Sequence, residues 1–269
     1  MTLVTAWIRQ VGDTEELVLA SDSRLRFGCA WDYSPKLLSL SRGDSALCFA
    51  GDTFYAYPML IQLKAALEMN EKISSRAVDV FDLRSYVISI IEEMRLAVYD
   101  HATGADKPDN DYRFLLAGYS WRYSQFRVWH IQYQENIGKF SYRSVGKYSK
   151  EQNNGRKYLF IGDHTGEARK RLNIILRNKE LSHGELDFEP LEVLRDMSLD
   201  ENYPEIGGAP QVTKIYKFGN SMPFNVYWPN KENGSVHFGG RKLLPFERNR
   251  YFSIDLADMS VDSNEAKRR

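Results

Sequence analysis

The chain has 269 residues, 43% apolar and 13% aromatic, enough to bury the core of one large domain or two small ones. Its 36 Lys and Arg balance 36 Asp and Glu, which argues against a general nucleic-acid binder, and no apolar run approaches the ~18 residues that cross a bilayer. Only Cys29 and Cys48 occur, without metal-ligand spacing, which suggests a reducing compartment, no disulfide framework and the cytoplasm as the expected location.

The opening Met1-Thr2-Leu3-Val4-Thr5 lacks the charged-then-apolar layout of a signal peptide. Residues 3–10 alternate as a strand, 11–16 read as a hairpin loop, and 17–21 return as a short buried strand. A second hairpin is predicted from 36–41 and 45–50, turning at Arg42-Gly43-Asp44. A helix follows over 54–70, with Leu60, Leu63, Ala66 and Leu67 on one face; Pro58 places the start of its regular part near that residue. The next helix spans about 82–101, with Val87, Ile90, Ile91, Met94 and Val98 as its stripe and Asp82 as its cap. Residues 103–110 read as a surface loop.

Aromatic, alternating strands resume at 112–119, 125–134 and 139–145. A short strand over 157–161 runs through Gly162 into a helix over 166–178. Another helix covers 188–197, with Pro190 in its first turn, before strands at 211–218, 224–228 and 235–238. Residues 260–269 are polar and read as frayed. Strands, two helices, strands, two helices, strands is the order of an α+β fold in which two antiparallel sheets carry helix pairs outside; it does not fit alternating βαβ units. One domain over 1–256, with extra strands after about 220, and a tail over 257–269 is the expected division.

Several segments in this order resemble proteasome β subunits, N-terminal-nucleophile hydrolases, and their bacterial proteasome-related kin. Leu17 to Arg24 is similar to the strand and Asp-Ser-Arg turn near the start of those subunits, and Lys36 follows on the next strand. Ala50-Gly51-Asp52 then leads into a helix. Leu115 to Tyr119 is similar to the central strand, Lys157 to Gly162 to the strand before the third helix, and Gly207 to Val212 to the Gly-Gly turn into a late strand. The resemblance covers roughly 2–218. It implies a four-layer αββα sandwich and a threonine-type peptidase with a peptide or protein substrate and no cofactor. It further implies a homo-oligomer, a ring with an inner chamber, and an ATP-dependent unfoldase to feed it.

Carried onto this sequence, the resemblance makes Thr2 the nucleophile, exposed by removal of Met1. Its hydroxyl attacks and its own α-amine takes the proton, a suitable base because its ordinary pKa is about 8. Lys36 is the cation that keeps this amine unprotonated, Asp22 holds Lys36 charged, and the Gly51 N–H serves the oxyanion. Each also has a plainer reading: Thr2 as the start of a strand, Asp22 as a turn cap, Lys36 as a solvated strand end, Gly51 as the glycine of a tight turn. Thr5 is a rival nucleophile that would need cleavage after Val4.

The sequence departs from the family where the serine after the third-helix glycine should stand, in Gly162-Asp163-His164, and where an aspartate and a serine should precede the Gly-Gly turn, at Tyr203 and Ile206. Asp163 can substitute as acceptor for the amine, or serve only as a helix N-terminal acid. These losses keep two alternatives open, a catalytically silent proteasome-like scaffold and a small-molecule amidase. His101, His130, His164, His183 and His237 show no metal spacing, and the aromatics at 112, 119, 121, 123 and 129 read as strand packing without a basic groove.

Overall fold

The computed structural model describes residues 2–26, 28–98, 110–145, 157–182, 185–218 and 220–262. In chain order its first half carries β1 (Leu3–Val11), β2 (Thr14–Ser21), β3 (Leu25–Arg26), β4 (Ala30–Trp31), β5 (Leu37–Ser39), β6 (Ser45–Gly51), α1 (Thr53–Met69), α2 (Glu71–Ser74) and α3 (Val80–Leu96). Then come β7 (Tyr112–Ser120), β8 (Gln125–Gln134), β9 (Lys139–Val145), β10 (Tyr158–Gly162), α4 (Thr165–Asn178) and α5 (Glu189–Leu199). The last part holds β11 (Gln211–Tyr216), β12 (Ser221–Trp228), β13 (Ser235–Phe238), β14 (Arg241–Lys242), β15 (Ser253–Asp255) and β16 (Val261–Asp262).

Among the described residues the strands form two main sheets. One runs β10-β1-β2-β11-β12-β13-β14, with β15 and β16 attached at β12; the other runs β5-β6-β7-β8-β9. The pairings are antiparallel except β12 with β15, which is parallel, a departure from the expected all-antiparallel sheets. Beyond its first residues β12 leaves β11 for β13 and β15, which gives the late segment its own pairing partners.

Alternate residues of the same strands feed different cores, as the two-residue period of a strand requires. Leu3, Trp7, Val18, Ala20 and Phe160 pack with Leu172 and Leu176 of α4 and Leu191 and Leu194 of α5. Leu47, Phe49, Phe114, Leu116 and Trp129 pack with Leu60 and Leu63 of α1 and Leu83, Val87 and Ile91 of α3. The residues between, Val4, Ala6, Leu17, Leu19 and Ile161 of one sheet and Ala46, Cys48, Ala50, Leu115 and Ala117 of the other, form a third cluster. Small side chains there let two sheets approach. Truncating a large buried side chain in such clusters costs about 3–5 kcal/mol.

Local chemistry moved several predicted boundaries. The 11–16 loop is a two-residue turn, Gly12-Asp13, with Gly12 at φ +55°; Glu15 and Glu16 belong to β2, where Glu16 pairs with Arg9 and Lys214 at 2.8 Å each. α1 starts at Thr53, not near Pro58, because the Asp52 carboxylate accepts the Phe54 N–H at 2.8 Å and caps the helix first. Pro58 therefore sits inside the helix, where it cannot donate to the Phe54 carbonyl. α3 is capped by Asp79, not Asp82: Asp79 accepts from Phe81 N (2.8 Å), Ser120 Oγ (2.9 Å) and Arg122 N (3.1 Å). Asp82 instead pairs with Arg122. β5 is shorter than predicted, since the Lys36 N–H turns to a side chain. Val261–Asp262 forms a strand on β15 instead of fraying. The predicted loop at 103–109, the end of the second helix at 99–101 and the tail at 263–269 lie outside the described residues.

Candidate active site

β1 and β10 are neighbours, with Leu3 opposite Gly162, so the residues just before one and just after the other meet. The Asp163 N–H donates to the Thr2 carbonyl at 2.8 Å, and the Thr2 nitrogen donates to Asp163 Oδ2 at 2.5 Å. Gly162, at φ +100°, makes this closure possible: a Cβ there would lie 1.9 Å from the Thr2 carbonyl oxygen and 3.1 Å from Ala50 Cβ. Thr2 is fully buried, while Asp163 is partly exposed.

Asp22 follows β2 and is fully buried. Its Oδ1 accepts the Leu3 N–H at 3.0 Å, and its Oδ2 accepts those of Arg24 at 3.1 Å and Gly207 at 3.3 Å. The Lys36 ammonium donates to both carboxylate oxygens, at 2.9 and 3.0 Å. Lys36 is fully buried too. Burial pushes the Lys36 pKa down, against the opposing pull of Asp22 and, further off, Asp163 and Asp32. Burial likewise pushes the Asp22 carboxyl up, opposed by Lys36 and by the Leu3 and Gly207 N–H groups. Both shifts are the cost of removing charge from water, and the three backbone donors on Asp22 beside the Lys36 ammonium are what makes a buried ion pair tolerable.

Gln211, at the start of β11, completes the frame. Its Oε1 accepts the Lys36 N–H at 3.0 Å, and its Nε2 donates to the Ser34 carbonyl at 2.6 Å. The sequence alone presents Gln211 only as a strand start. The available signal is a long amide heading a strand straight after Gly-Gly-Ala-Pro. Beside it the Ser23 Oγ donates to the Asp32 carbonyl at 2.6 Å, and Arg24 pairs with Asp32 at 2.6 Å, which pins the turn that presents Asp22.

Thr2, Asp22, Lys36 and Asp163 thus share one neighbourhood; Asp22 does cap its turn through the Arg24 N–H but holds Lys36 as well, and the plain reading of Lys36 as a solvated strand end does not hold. Gly51 is different. Its φ is +100°, and a Cβ would meet the Asp111 carbonyl oxygen at 2.1 Å, so packing against the approach to β7 already demands glycine. Thr5 points away from this centre. It lies on the face of β1 that carries Leu3 and Trp7, its hydroxyl is buried without a hydrogen-bond partner, and Val4 before it is wholly buried and paired on both sides. Cleavage after Val4 would remove a strand segment.

Where the resemblance expects polar orienting groups, Ile206 is buried among the α4 and α5 side chains, and Tyr203 packs edge-on against His164 at 4.8 Å. His164 takes φ +52° as the residue before α4, and its Nε2 lies 3.3 Å from Glu205. Among the described residues no group of three or more His, Cys, Asp or Glu side chains is placed to hold a metal ion, and no helix is long and apolar enough to cross a membrane.

No protein-family model and no curated protein matches the chain. Among solved structures it is similar to the Gly-1 mutant of Anbu from Hyphomicrobium sp. strain MC1, with a TM-score of 0.54 and 15% identity over 82% of this chain and 85% of that one. At that identity the likeness is one of fold alone, an α+β architecture with largely antiparallel sheets in this chain.

Proposed function

We propose that the chain is a threonine-type amide hydrolase, with peptides as substrates, whose nucleophile is Thr2 after loss of Met1. The observation that carries the reading is Asp22. One buried carboxylate binds both the Lys36 ammonium and the N–H of Leu3, the residue next to Thr2. Lysine and aspartate are almost never fully buried unless paired, and a wholly buried pair beside a chain end is a candidate functional centre. We read the fold as a four-layer αββα sandwich in a single domain over 1–256, a reading supported by the three hydrophobic clusters.

In this mechanism the freed Thr2 amine keeps its place at Asp163 Oδ2 and accepts the hydroxyl proton, directly or through water. Asp163 favours the protonated amine and the Lys36 ammonium opposes it, so the two charges set the amine near working pH. The hydroxyl oxygen attacks the scissile carbonyl, the Gly51 N–H stabilises the oxyanion, and the amine returns the proton to the leaving nitrogen. Water then hydrolyses the acyl-threonine ester. A ring of copies in the cytoplasm, fed by an ATP-dependent unfoldase, belongs to the same proposal.

The burial of Thr2, with Ile206 and Tyr203 in place of polar groups, favours one second reading, a silent scaffold subunit. The deciding experiment begins with mass spectrometry of the purified N-terminus. Hydrolysis of peptide reporters and labelling by a threonine-directed covalent inhibitor follow, in wild type, Thr2→Ala and Thr2→Ser. The peptidase reading expects Met1 removed, labelling of Thr2, no turnover in Thr2→Ala and partial turnover in Thr2→Ser. Retained Met1, or turnover unaffected by Thr2→Ala, sinks it.

A further inference from the structure

The face of the second sheet that meets the first is apolar over most of its area and changes character at one end. Directly opposite residues of an antiparallel pair share a face. Ala50 belongs to the inter-sheet cluster, and Arg113 stands opposite it. Gln132 stands opposite Arg113, and Ser141 opposite Gln132. One row further in, Leu115 of the same cluster stands opposite His130, which stands opposite Arg143. Arg113, Gln132, His130 and Arg143 therefore form a polar shelf continuous with Ala50, which in turn lies beside Gly162, the residue that closes on the Thr2 carbonyl. With cross-strand neighbours about 5 Å apart, Arg113 is one step from Ala50, and Arg143 lies about two steps beyond Arg113.

The shelf is built for negative charge. Arg143 is exposed and makes no ion pair among the described residues, and Arg113 holds only Asp111, an exposed partner. His130 Nε2 is buried without a hydrogen-bond partner. Burial, then Arg113 and Arg143, push the His130 pKa down to about 4, so both guanidinium groups act on this face. The Arg113–Asp111 pair is of the exposed kind that contributes little and exchanges readily.

We propose that this shelf is a substrate subsite for a carboxylate, taken by Arg143 and Arg113 on either side of His130. The proposal rests on the hydrolase reading of Thr2 and adds its preference: peptides with a carboxylate displaced from the scissile bond along the second sheet. The carboxylate can come from an acidic side chain or from a chain terminus.

Binding tests it without turnover. Fluorescein-labelled hexapeptides are titrated into Thr2→Ala protein at low salt, with anisotropy as readout: one Glu-rich and C-terminally amidated, one with Gln for Glu and amidated, and one with Gln for Glu and a free C-terminus. Charge-assisted contacts of this kind predict about 10- to 100-fold tighter binding of the Glu-rich peptide than of the amidated Gln peptide. Tight binding of the free-terminus peptide instead names the chain terminus as source. Adding Arg113→Gln and Arg143→Gln should shrink the preference to about threefold or less, and bound carboxylate should move the NMR titration of His130 toward neutral pH. Equal or absent binding of all three peptides, or a preference that survives both substitutions in protein with native circular dichroism, overturns the subsite. Because the readout is binding, failure of wild-type hydrolysis would count against the Thr2 reading alone.

Discussion

Replacing Lys36 with methionine removes the charge and keeps most of the volume. The Asp22 carboxylate is then left with no exposed surface and only its backbone donors, from Leu3, Arg24 and Gly207. Breaking a buried pair in this way costs about 3–5 kcal/mol, much more than an exposed pair would. The deficit should depend on pH. Burial already raises the Asp22 pKa in the folded protein, and losing Lys36, the largest opposing influence, raises it further. A group whose folded pKa is raised gives full stability below its unfolded pKa and loses it as pH rises through the folded value. Lys36→Met should thus be most destabilised at pH 8 and recover toward pH 4 relative to wild type. Urea unfolding followed by circular dichroism at pH 8, 6 and 4 reads this directly. Lys36→Met with Asp22→Asn should regain part of the loss at pH 8, since no charge is left stranded. A deficit below ~1 kcal/mol, or one indifferent to pH, would refute the view of Asp22 and Lys36 as a mutually dependent buried pair.

Gly162→Ala places a methyl group 1.9 Å from a backbone oxygen at a positive φ, so it should cost more than ~2 kcal/mol and disturb the contact between Thr2 and Asp163; thermal unfolding tests this, and a neutral substitution would show that the closure is not tight. His130 titrates at about 4 in the folded protein against an ordinary 6.5, so protonation favours the unfolded chain and stability should fall as pH drops between those values. That slope is at most ~1.4 kcal/mol per pH unit for one proton. His130→Gln should flatten it in pH-dependent melts, and an unchanged slope would assign the acid sensitivity elsewhere.

Much of the architecture is written in local pattern. The strands at 125–134 and 139–145 announce themselves by aromatic alternation. The errors arise where two local signals compete. Asp79 and Asp82 are both plausible caps, and the choice is made by Ser120 and Arg122, some forty residues away. Asp52 overrides Pro58 because a formed cap fixes the helix start before proline's preference applies. The site shows the same division. Asp22 and Lys36 could be picked out by resemblance, and Asp163 only as the residue standing where the resemblance expects a serine. That Asp22 takes the Leu3 N–H, or that Gln211 spans Ser34 and Lys36, follows only from the pairing of β2 with β1 and β11. No periodicity encodes a contact between residues separated by 175 positions.

Those separations also fix when the centre can exist during synthesis. Thr2 leaves the ribosome well before its partner Asp163, which lies 161 residues later, and the Gly207 N–H that steadies Asp22 emerges later still. Contacts of such span form late and slowly, because loop closure must precede them. The nascent N-terminus can therefore be trimmed by processing enzymes while it is still an ordinary unstructured threonine. The charged cradle around it closes only when about four-fifths of the chain has been made. On the proposed reading of Thr2 as nucleophile, synthesis order keeps its hydroxyl apart from Asp163 and from the Gly207 turn while the nascent chain is itself an accessible substrate.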